Sequence, residues 1–163
     1  MQLSTGGRLG FLPQRTAVDP DYPLTVAEFV TLGGWRQFGA FGAPPASVRA
    51  QATDAAATVG LAGRLERRVG SLSAGELQRA LFARLMLESP AVILLDEPFA
   101  AVDAQTTTAL LNQVIQWHRD GRTVIAVLHD LALVRASFPT TLVLARRCLS
   151  WGPTETALTA LPE

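Results

Sequence analysis

Two adjacent carboxylates, Asp96 and Glu97, follow directly after the apolar run Ala91–Leu95. Such a run predicts a strand buried on both faces of a parallel sheet, and open α/β sheets bind ligands at the carboxyl ends of their strands. Carboxylate oxygen is a ligand that Mg²⁺ prefers, so Asp96 is a candidate to hold that ion, directly or through water. Glu97 points elsewhere in this interpretation and could orient or deprotonate a water molecule. Two solvated acids at a strand end explain these residues equally well when they are taken alone.

A second candidate site is the segment Leu72–Glu76, which reads Leu-Ser-Ala-Gly-Glu. Ser73 followed three residues later by Glu76 is a capping box, which predicts that a helix begins here. A helix N-terminus presents unbonded backbone N–H groups and the positive end of a dipole, and both attract phosphate. An ordinary helix cap without a ligand is the alternative.

Two further polar residues follow predicted strands. His129 comes just after the predicted strand Thr123–Leu128, where a histidine could donate to a phosphate or hold a water molecule. A loop histidine bonded to Asp130 is the alternative. Gln14 follows the short predicted strand Leu9–Leu12 and is uninformative by itself.

These residues would be positioned by strands and helices that alternate along the chain, which predicts an α/β fold with right-handed crossovers. The first helix is expected to stop at Gly33-Gly34, and strand 123–128 is expected to be buried like strand 91–95. The predicted strands cover residues 9–12, 91–95, 123–128 and 141–145, and the predicted helices cover 25–32, 45–59, 74–89, 104–119 and 131–136.

A length of 163 residues fits one domain, or one main body with a small insert, and a content of 48% hydrophobic and 17% charged residues lets a core form. Lysine plus arginine equals aspartate plus glutamate at 14 each, and this zero net charge argues against a nucleic-acid binder with a basic surface. A single cysteine, Cys148, excludes an internal disulfide and a cysteine-built metal site. No apolar stretch approaches the roughly 20 residues that span a bilayer, so we expect a cytosolic chain, or one docked on a membrane by a partner.

All 14 basic residues are arginine, and the chain contains no lysine. It therefore has no Gly-x-x-x-x-Gly-Lys-Ser/Thr motif, the loop with which P-loop ATPases hold phosphate. Genomic base composition is the simplest explanation of the bias, because arginine serves most surface roles of lysine.

The order of the candidate motifs resembles the ATP-binding subunit of ABC transporters, from near Arg8 to the C-terminus. The signature departs from the usual Leu-Ser-Gly-Gly-Gln at two positions, because Ala74 replaces Gly and Glu76 replaces Gln. The matching segments are Phe11–Gln14 for the Q-loop, Leu72–Glu76 for the signature, Val92–Glu97 for Walker B with the catalytic glutamate, Ala101–Asp103 for the D-loop and His129 for the switch histidine.

The resemblance implies ATP hydrolysis with ATP and Mg²⁺ as cofactors. It also implies a dimer of ATPase subunits, in which each ATP lies between the P-loop of one subunit and the signature of the other. Glu97 would position or activate the attacking water, and His129 would sense the γ-phosphate. Gln14 and Asp96 would hold the Mg²⁺ of MgATP. The nucleotide-binding roles would fall to Gln14, Ser73, Gly75, Glu76, Asp96 and Asp103.

The resemblance also implies a P-loop NTPase-type α/β sheet with helices on both faces and a small helical subdomain. Residues 1–163 would form a partial, N-terminally truncated ATPase domain, with the helical subdomain at 24–88, including the signature helix, and a portion of the α/β catalytic core at 89–163. Without the strand that carries the P-loop, the sheet would expose unpaired edges and apolar faces, so we expect the isolated chain to be poorly stable.

The implied partners are transmembrane permease subunits and a second ATPase subunit, in a homo- or heterodimer on the cytoplasmic face of the membrane. Trp35, Phe38 and Phe41 are candidates for the permease contact, or else for the subdomain core. The stretches Pro13–Val26 and Asp96–Asp103 and the Trp-Gly-Pro near the C-terminus resemble importers of zinc or manganese, with siderophore-iron importers next.

Three interpretations stay open. The chain is an incomplete piece of a working ATPase whose Met1 is internal or spurious, which the retained catalytic carboxylates favour. In the second interpretation, the chain is a non-hydrolysing partner module that supplies only the signature and the contact with the membrane subunit. The retained Glu97 and His129 argue against this interpretation. The third interpretation is a soluble α/β protein of unrelated function.

Overall fold

A computed structural model describes residues 8–14, 19, 21, 23–39, 41–100 and 102–161. They form two compact units, one that ends at Val127 and one that begins at Leu128. The first unit contains β1 (Leu9–Leu12), α1 (Val26–Thr31), a 3₁₀ helix (Leu32–Gln37), α2 (Ala46–Thr58), 3₁₀ turns at Ala62–Arg64 and Val69–Ser71, α3 (Ala74–Glu88), β2 (Val92–Asp96), α4 (Ala104–Arg119) and β3 (Thr123–Val127). The second contains α5 (Leu131–Ser137), β4 (Thr140–Leu144), β5 (Cys148–Pro153), α6 (Thr154–Ala157) and a 3₁₀ turn at Leu158–Ala160.

The sheet of the first unit has the order β1-β2-β3, and both strand pairs are parallel. Its register pairs Leu12 with Leu95 and Asp96 with Val127, so all three strands end at the same edge. The predicted parallel α/β arrangement is therefore confirmed for these strands.

The helices begin and end where capping chemistry places them. Thr25 opens α1 and Ser73 opens α3, and each forms the predicted capping box with a glutamate three residues later. Pro45 precedes α2, and Gly60 follows it with a φ of +73°, a conformation that glycine adopts without strain. The cap residues in the sequence thus predicted these boundaries.

The first α-helix ends at Thr31 with Leu32 as its C-cap, close to the predicted end, but the chain continues through Gly33 and Gly34 as a 3₁₀ helix to Gln37. A Cβ on Gly33 would lie 2.1 Å from the carbonyl oxygen of Arg84 in α3. Gly33 is therefore required by the close approach of α3 and does not mark a helix end.

One face of the sheet carries the core of the first unit. Ile93 and Leu95 of β2 are fully buried there, and α3 contacts β1 while α4 contacts β3. The rings of Phe82 in α3 and Trp117 in α4 stack with centroids 5.1 Å apart and an interplanar angle of 11°. This stacked pair joins α3 to α4.

The opposite face of the sheet is apolar and exposed. Leu9, Phe11, Ile125 and Val127 are each exposed to 52–57%. The register Phe11–Leu94–Ile125 and the alternation of side chains put them on one face. The prediction that β3 is buried is therefore wrong, because burial of a parallel strand needs cover on both faces.

The second unit is built on an antiparallel pair, β4 with β5. Its core contains Val134, Val143, Ala157 and Leu158. Strand 141–145 was predicted one residue late, and β5 was missed because its Trp-Gly-Pro ending is a turn signal rather than a strand signal. In neither unit does any described helix combine the length and apolar character needed to cross a membrane.

Candidate functional site

The carboxyl edge of the sheet brings Gln14 and Asp96 to neighbouring strand ends. Leu12 and Leu95 are register partners, Asp96 is the last residue of β2, and Gln14 lies in a bend two residues beyond β1. Asp96 is half-buried and Gln14 is exposed. Asp96 also shares its face of the sheet with the exposed apolar residues, because it pairs with Val127.

Glu97 leaves the strand in a left-handed conformation, with a φ of +47°. Its backbone N–H donates to the carbonyl of Val127 at 3.0 Å, and its carbonyl accepts from Ala100 N–H at 3.2 Å. A non-glycine residue in this region costs about 1–3 kcal/mol and persists only where surrounding contacts hold it, commonly at functional sites. The turn ends the regular strand directly after Asp96.

The donor set at this edge suits Mg²⁺ better than a metal caged by protein alone. No group of three or more histidine, cysteine, aspartate or glutamate side chains able to hold a metal occurs in the described part of the chain. Mg²⁺ is usually bound by one or two carboxylates, with water and substrate phosphate completing its shell. One half-buried carboxylate, Asp96, with Gln14 just beyond the neighbouring strand end, fits that pattern.

The N-terminus of α3 is closed by reciprocal bonds between Ser73 and Glu76. The Ser73 hydroxyl accepts from Glu76 N–H at 3.3 Å, and Glu76 Oε2 accepts from Ser73 N–H at 3.0 Å. Ala74 and Gly75 are the first two residues of the helix, where backbone N–H groups have no partner within the helix. The predicted capping box is confirmed, and Ala74 is an ordinary helical residue.

Glu76 makes a second contact that the sequence did not indicate. Arg64 Nε donates to Glu76 Oε1 at 3.0 Å. The backbone N–H of Ser73 and then Arg64 lower the pKa of Glu76 from 4.5 to about 2. Arg64 lies twelve residues earlier in a 3₁₀ turn, and no spacing rule joins that turn to a helix start.

Gln78 is a second residue that sequence reasoning missed. Its side chain is 7% exposed, and Nε2 donates to the carbonyl of Pro98 at 3.5 Å. Pro98 directly follows Glu97, so α3 contacts the turn that carries this carboxylate. The sequence contained a signal for a buried polar contact, because Gln78 is a polar residue on the core-facing side of the helix, four residues before the buried Phe82.

Asp103 caps α4. Its Oδ1 accepts from Thr106 N–H at 2.9 Å and its Oδ2 from the Thr106 hydroxyl at 2.7 Å. The bond from the Thr106 backbone N–H makes the largest contribution to lowering the pKa of the Asp103 carboxyl, and the bond from the Thr106 hydroxyl lowers this pKa further. Ala101, at the start of the predicted D-loop, lies outside the described residues, and the nucleotide-binding role of Asp103 stays a prediction.

His129 lies at the start of the second unit and is exposed. The neighbouring Asp130 caps α5, because its Oδ1 accepts from the N–H groups of Ala132 and Leu133 at 2.9 and 3.0 Å. His129 thus stands between the end of β3 and a helix start, and its γ-phosphate role stays a prediction.

Comparison with solved structures supports this fold. A protein described as a metal-chelate type ABC transporter superposes on 95% of this chain with a TM-score of 0.78 and 28% identity, and 63% of that protein is covered. An ATP-binding subunit of an ABC transporter gives a TM-score of 0.78 at 20% identity over 91% of this chain and 60% of its own, which shows the fold alone.

Curated relatives match nearly the whole chain. The manganese transport system ATP-binding protein of Listeria monocytogenes is 35% identical over 93% of this chain and 63% of its own length. The zinc transport system ATP-binding protein of Treponema pallidum is 34% identical over 93% of this chain and 57% of its own length. The chain thus spans about three fifths of these relatives. The family model described as ABC transporter matches residues 2–100, and the chain therefore belongs to the ABC transporter family, within its ATPase domain.

Proposed function

We propose that this chain is part of an ATP-binding and ATP-hydrolysing subunit that energises an ABC transporter. One juxtaposition carries the proposal: α3, with a capped and phosphate-compatible N-terminus, contacts the turn that presents Glu97 beside Asp96. Family membership supports the same assignment.

The residues at the carboxyl ends of the strands have separate roles in ATP hydrolysis in this proposal. Asp96 and Gln14 hold the Mg²⁺ of MgATP, which when bound neutralises phosphate charge. Glu97 orients or deprotonates the attacking water, and His129 senses the γ-phosphate.

A second nucleotide meets a different part of the subunit. Ser73, Gly75 and the α3 N-terminus contact the phosphates of an ATP held by a second ATPase subunit. Glu76 and Asp103 shape this contact by fixing the two helix starts. In this proposal ATP is shared between two subunits.

The transported substrate is proposed from the relatives. The two named above belong to manganese and zinc transport systems, which favours import of a divalent metal ion. The ion itself would pass through transmembrane permease subunits, and the ATPase would sit on the cytoplasmic face of the membrane. Trp35 and Phe41 are exposed and available for the permease contact, whereas Phe38 is half-buried.

The absence of lysine bears on what the chain can do alone. No Gly-Lys-Ser/Thr loop occurs in these 163 residues, so they do not supply the phosphate contact that this loop makes. The second candidate function is a partner module that supplies only its signature to another ATPase subunit. The two candidate functions differ in whether ATP hydrolysis by the transporter requires Glu97.

The test measures phosphate release from MgATP by the transporter assembled with this subunit. Glu97→Gln is expected to lower turnover by a factor of about 100 or more while ATP still binds, because the general base is lost. Glu88→Gln, at the far end of α3, serves as the control and should leave turnover unchanged.

Two other outcomes are informative. Turnover within about twofold of wild type for Glu97→Gln would remove Glu97 from its role. If Ser73→Ala still lowered turnover in that case, the partner-module function would replace the proposed one. If neither substitution changed turnover, neither function would stand.

A further inference from the structure

A negative charge lies at the end of α3 that is proposed to meet phosphate. Glu76 is the third residue of the helix, and a glutamate side chain is ionised at neutral pH. A carboxylate favours a helix N-terminus for the same reason that phosphate does, so the two compete for one positive dipole end. The chain therefore needs a feature that keeps Glu76 from repelling the phosphate.

Arg64 provides that feature, because Arg64 and the backbone of Ser73 together form hydrogen bonds with both carboxylate oxygens of Glu76. Oε2 accepts from Ser73 N–H at 3.0 Å, and Oε1 accepts from Arg64 Nε at 3.0 Å. The side chain of Glu76 is 15% exposed and that of Arg64 is 44% exposed, so the pair lies at the surface with the carboxylate on its inner side. The guanidinium neutralises the carboxylate and holds it turned into the cap.

The turn that carries Arg64 is fixed to α3 by an independent contact. Arg79, on the next turn of α3, donates through Nη1 to the carbonyls of Val59 and Gly60, at 3.5 and 3.4 Å. Leu61, just before the turn, is fully buried. The position of Arg64 beside Glu76 is thus set by packing and does not depend on the ion pair alone.

We propose that Arg64 is a positioning residue of the phosphate-contacting end of α3, which compensates the charge of Glu76 and leaves the first N–H groups of the helix to the phosphate. The inference rests on the proposed function, because it deepens the role assigned there to Ser73 and Gly75. Arg64 acts through Glu76 and is not itself a phosphate ligand.

A double-mutant cycle separates compensation from simple attraction by a cation. The full chain, labelled with ¹⁵N, is titrated with inorganic triphosphate, and the backbone N–H signals of Ala74 and Gly75 report the dissociation constant. Arg64→Ala is expected to raise this constant about fivefold, because an uncompensated carboxylate then faces the anion. In the Glu76→Gln background, the same Arg64→Ala change should alter it by less than about twofold, because no charge remains to compensate.

Matched variants keep the result interpretable. Arg67→Ala removes another exposed arginine three residues along and should have little effect. Arg64→Lys keeps the positive charge and should restore most of the affinity, which loss of a purely structural contact would not allow. If Arg64→Ala fails to fold, the comparison of Arg64→Lys with Arg64→Gln, each with and without Glu76→Gln, carries the same cycle.

The outcomes distinguish this inference from the proposed function. Equal losses on removing Arg64 with and without Glu76 would make Arg64 a direct anion contact and overturn the compensation. Unchanged affinity in Arg64→Ala would overturn it as well. Absence of triphosphate shifts at Ala74 and Gly75 in every variant would overturn the phosphate contact assigned to α3, and the inference with it.

Discussion

The buried amide of Gln78 donates to the carbonyl of Pro98 at 3.5 Å, and this bond joins α3 to the turn that carries Glu97. Gln78 lies five residues after the cap residue Ser73, and Pro98 lies one residue after Glu97. The Gln78 side chain therefore joins the helix of the proposed phosphate contact to the turn that carries the proposed catalytic carboxylate. This connection makes the bond a sensitive point of the unit.

Replacement of Gln78 by Leu should destabilise the chain by about 1–3 kcal/mol, because the buried carbonyl of Pro98 loses its donor. Urea unfolding monitored by circular dichroism measures the change. Gln105→Leu, at an exposed position of α4, is the matched control and should stay within about 0.5 kcal/mol. Equal effects at both positions would show that the bond contributes nothing.

The depressed pKa of Glu76 predicts a pH-dependent stability. A carboxyl with a folded pKa of about 2 and an ordinary value of 4.5 stabilises the fold above the higher value, and this contribution is lost as pH falls toward the lower one. Wild type should exceed Glu76→Gln in unfolding free energy by about 1 kcal/mol at pH 6, after allowance for solvent screening.

That advantage over Glu76→Gln should shrink between pH 4.5 and about 2. Unfolding titrations of both proteins across this window measure it. A difference that stays constant with pH would mean that the native cap does not lower the pKa of Glu76.

The left-handed conformation of Glu97 predicts an unusual ranking of substitutions. Glu97→Gly should be more stable than Glu97→Ala by about 1 kcal/mol, since glycine adopts a φ of +47° without strain. Thermal unfolding compares the two directly. At Gln113, inside α4, the order should reverse, because glycine disfavours a helix by about 1 kcal/mol relative to alanine. The same order at both positions would argue against strain at Glu97.

The two faces of the sheet should respond differently to substitution. Ile93→Ala removes a fully buried side chain and should cost about 2–5 kcal/mol. Ile125→Thr alters a side chain that is 52% exposed and should cost less than about 1 kcal/mol while it lowers aggregation. Chemical denaturation and light scattering measure these effects. A large loss at Ile125 would mean that this face is covered in solution.

The uncovered face also bears on the stability of the isolated chain. Because Leu9, Phe11, Ile125 and Val127 all expose apolar surface, we expect a melting midpoint below ~50 °C, near the lower end of the ordinary range. Differential scanning calorimetry of the purified chain measures it. A midpoint above that temperature would contradict the expectation.

The sequence by itself determined the features that depend on local chemistry. Thr25 and Ser73 predicted two helix starts through their capping boxes, and Asp96-Glu97 after an apolar run predicted a strand that ends in acids. The order of the Q-loop, signature, Walker B, D-loop and switch-histidine segments predicted the ABC transporter family, which the family model confirms. Such signals are readable because caps and strand ends involve neighbours within a few residues.

Only the tertiary structure decided the contacts between distant segments. The bond from Arg64 to Glu76, the bond from Gln78 to Pro98 and the close approach that requires Gly33 join residues 12, 20 and 51 positions apart. The exposure of β3 could not be predicted from the sequence either, because an apolar strand has the same sequence pattern whether its second face is covered or open. Periodicity reports which residues share a face, but burial depends on what the rest of the chain places against it.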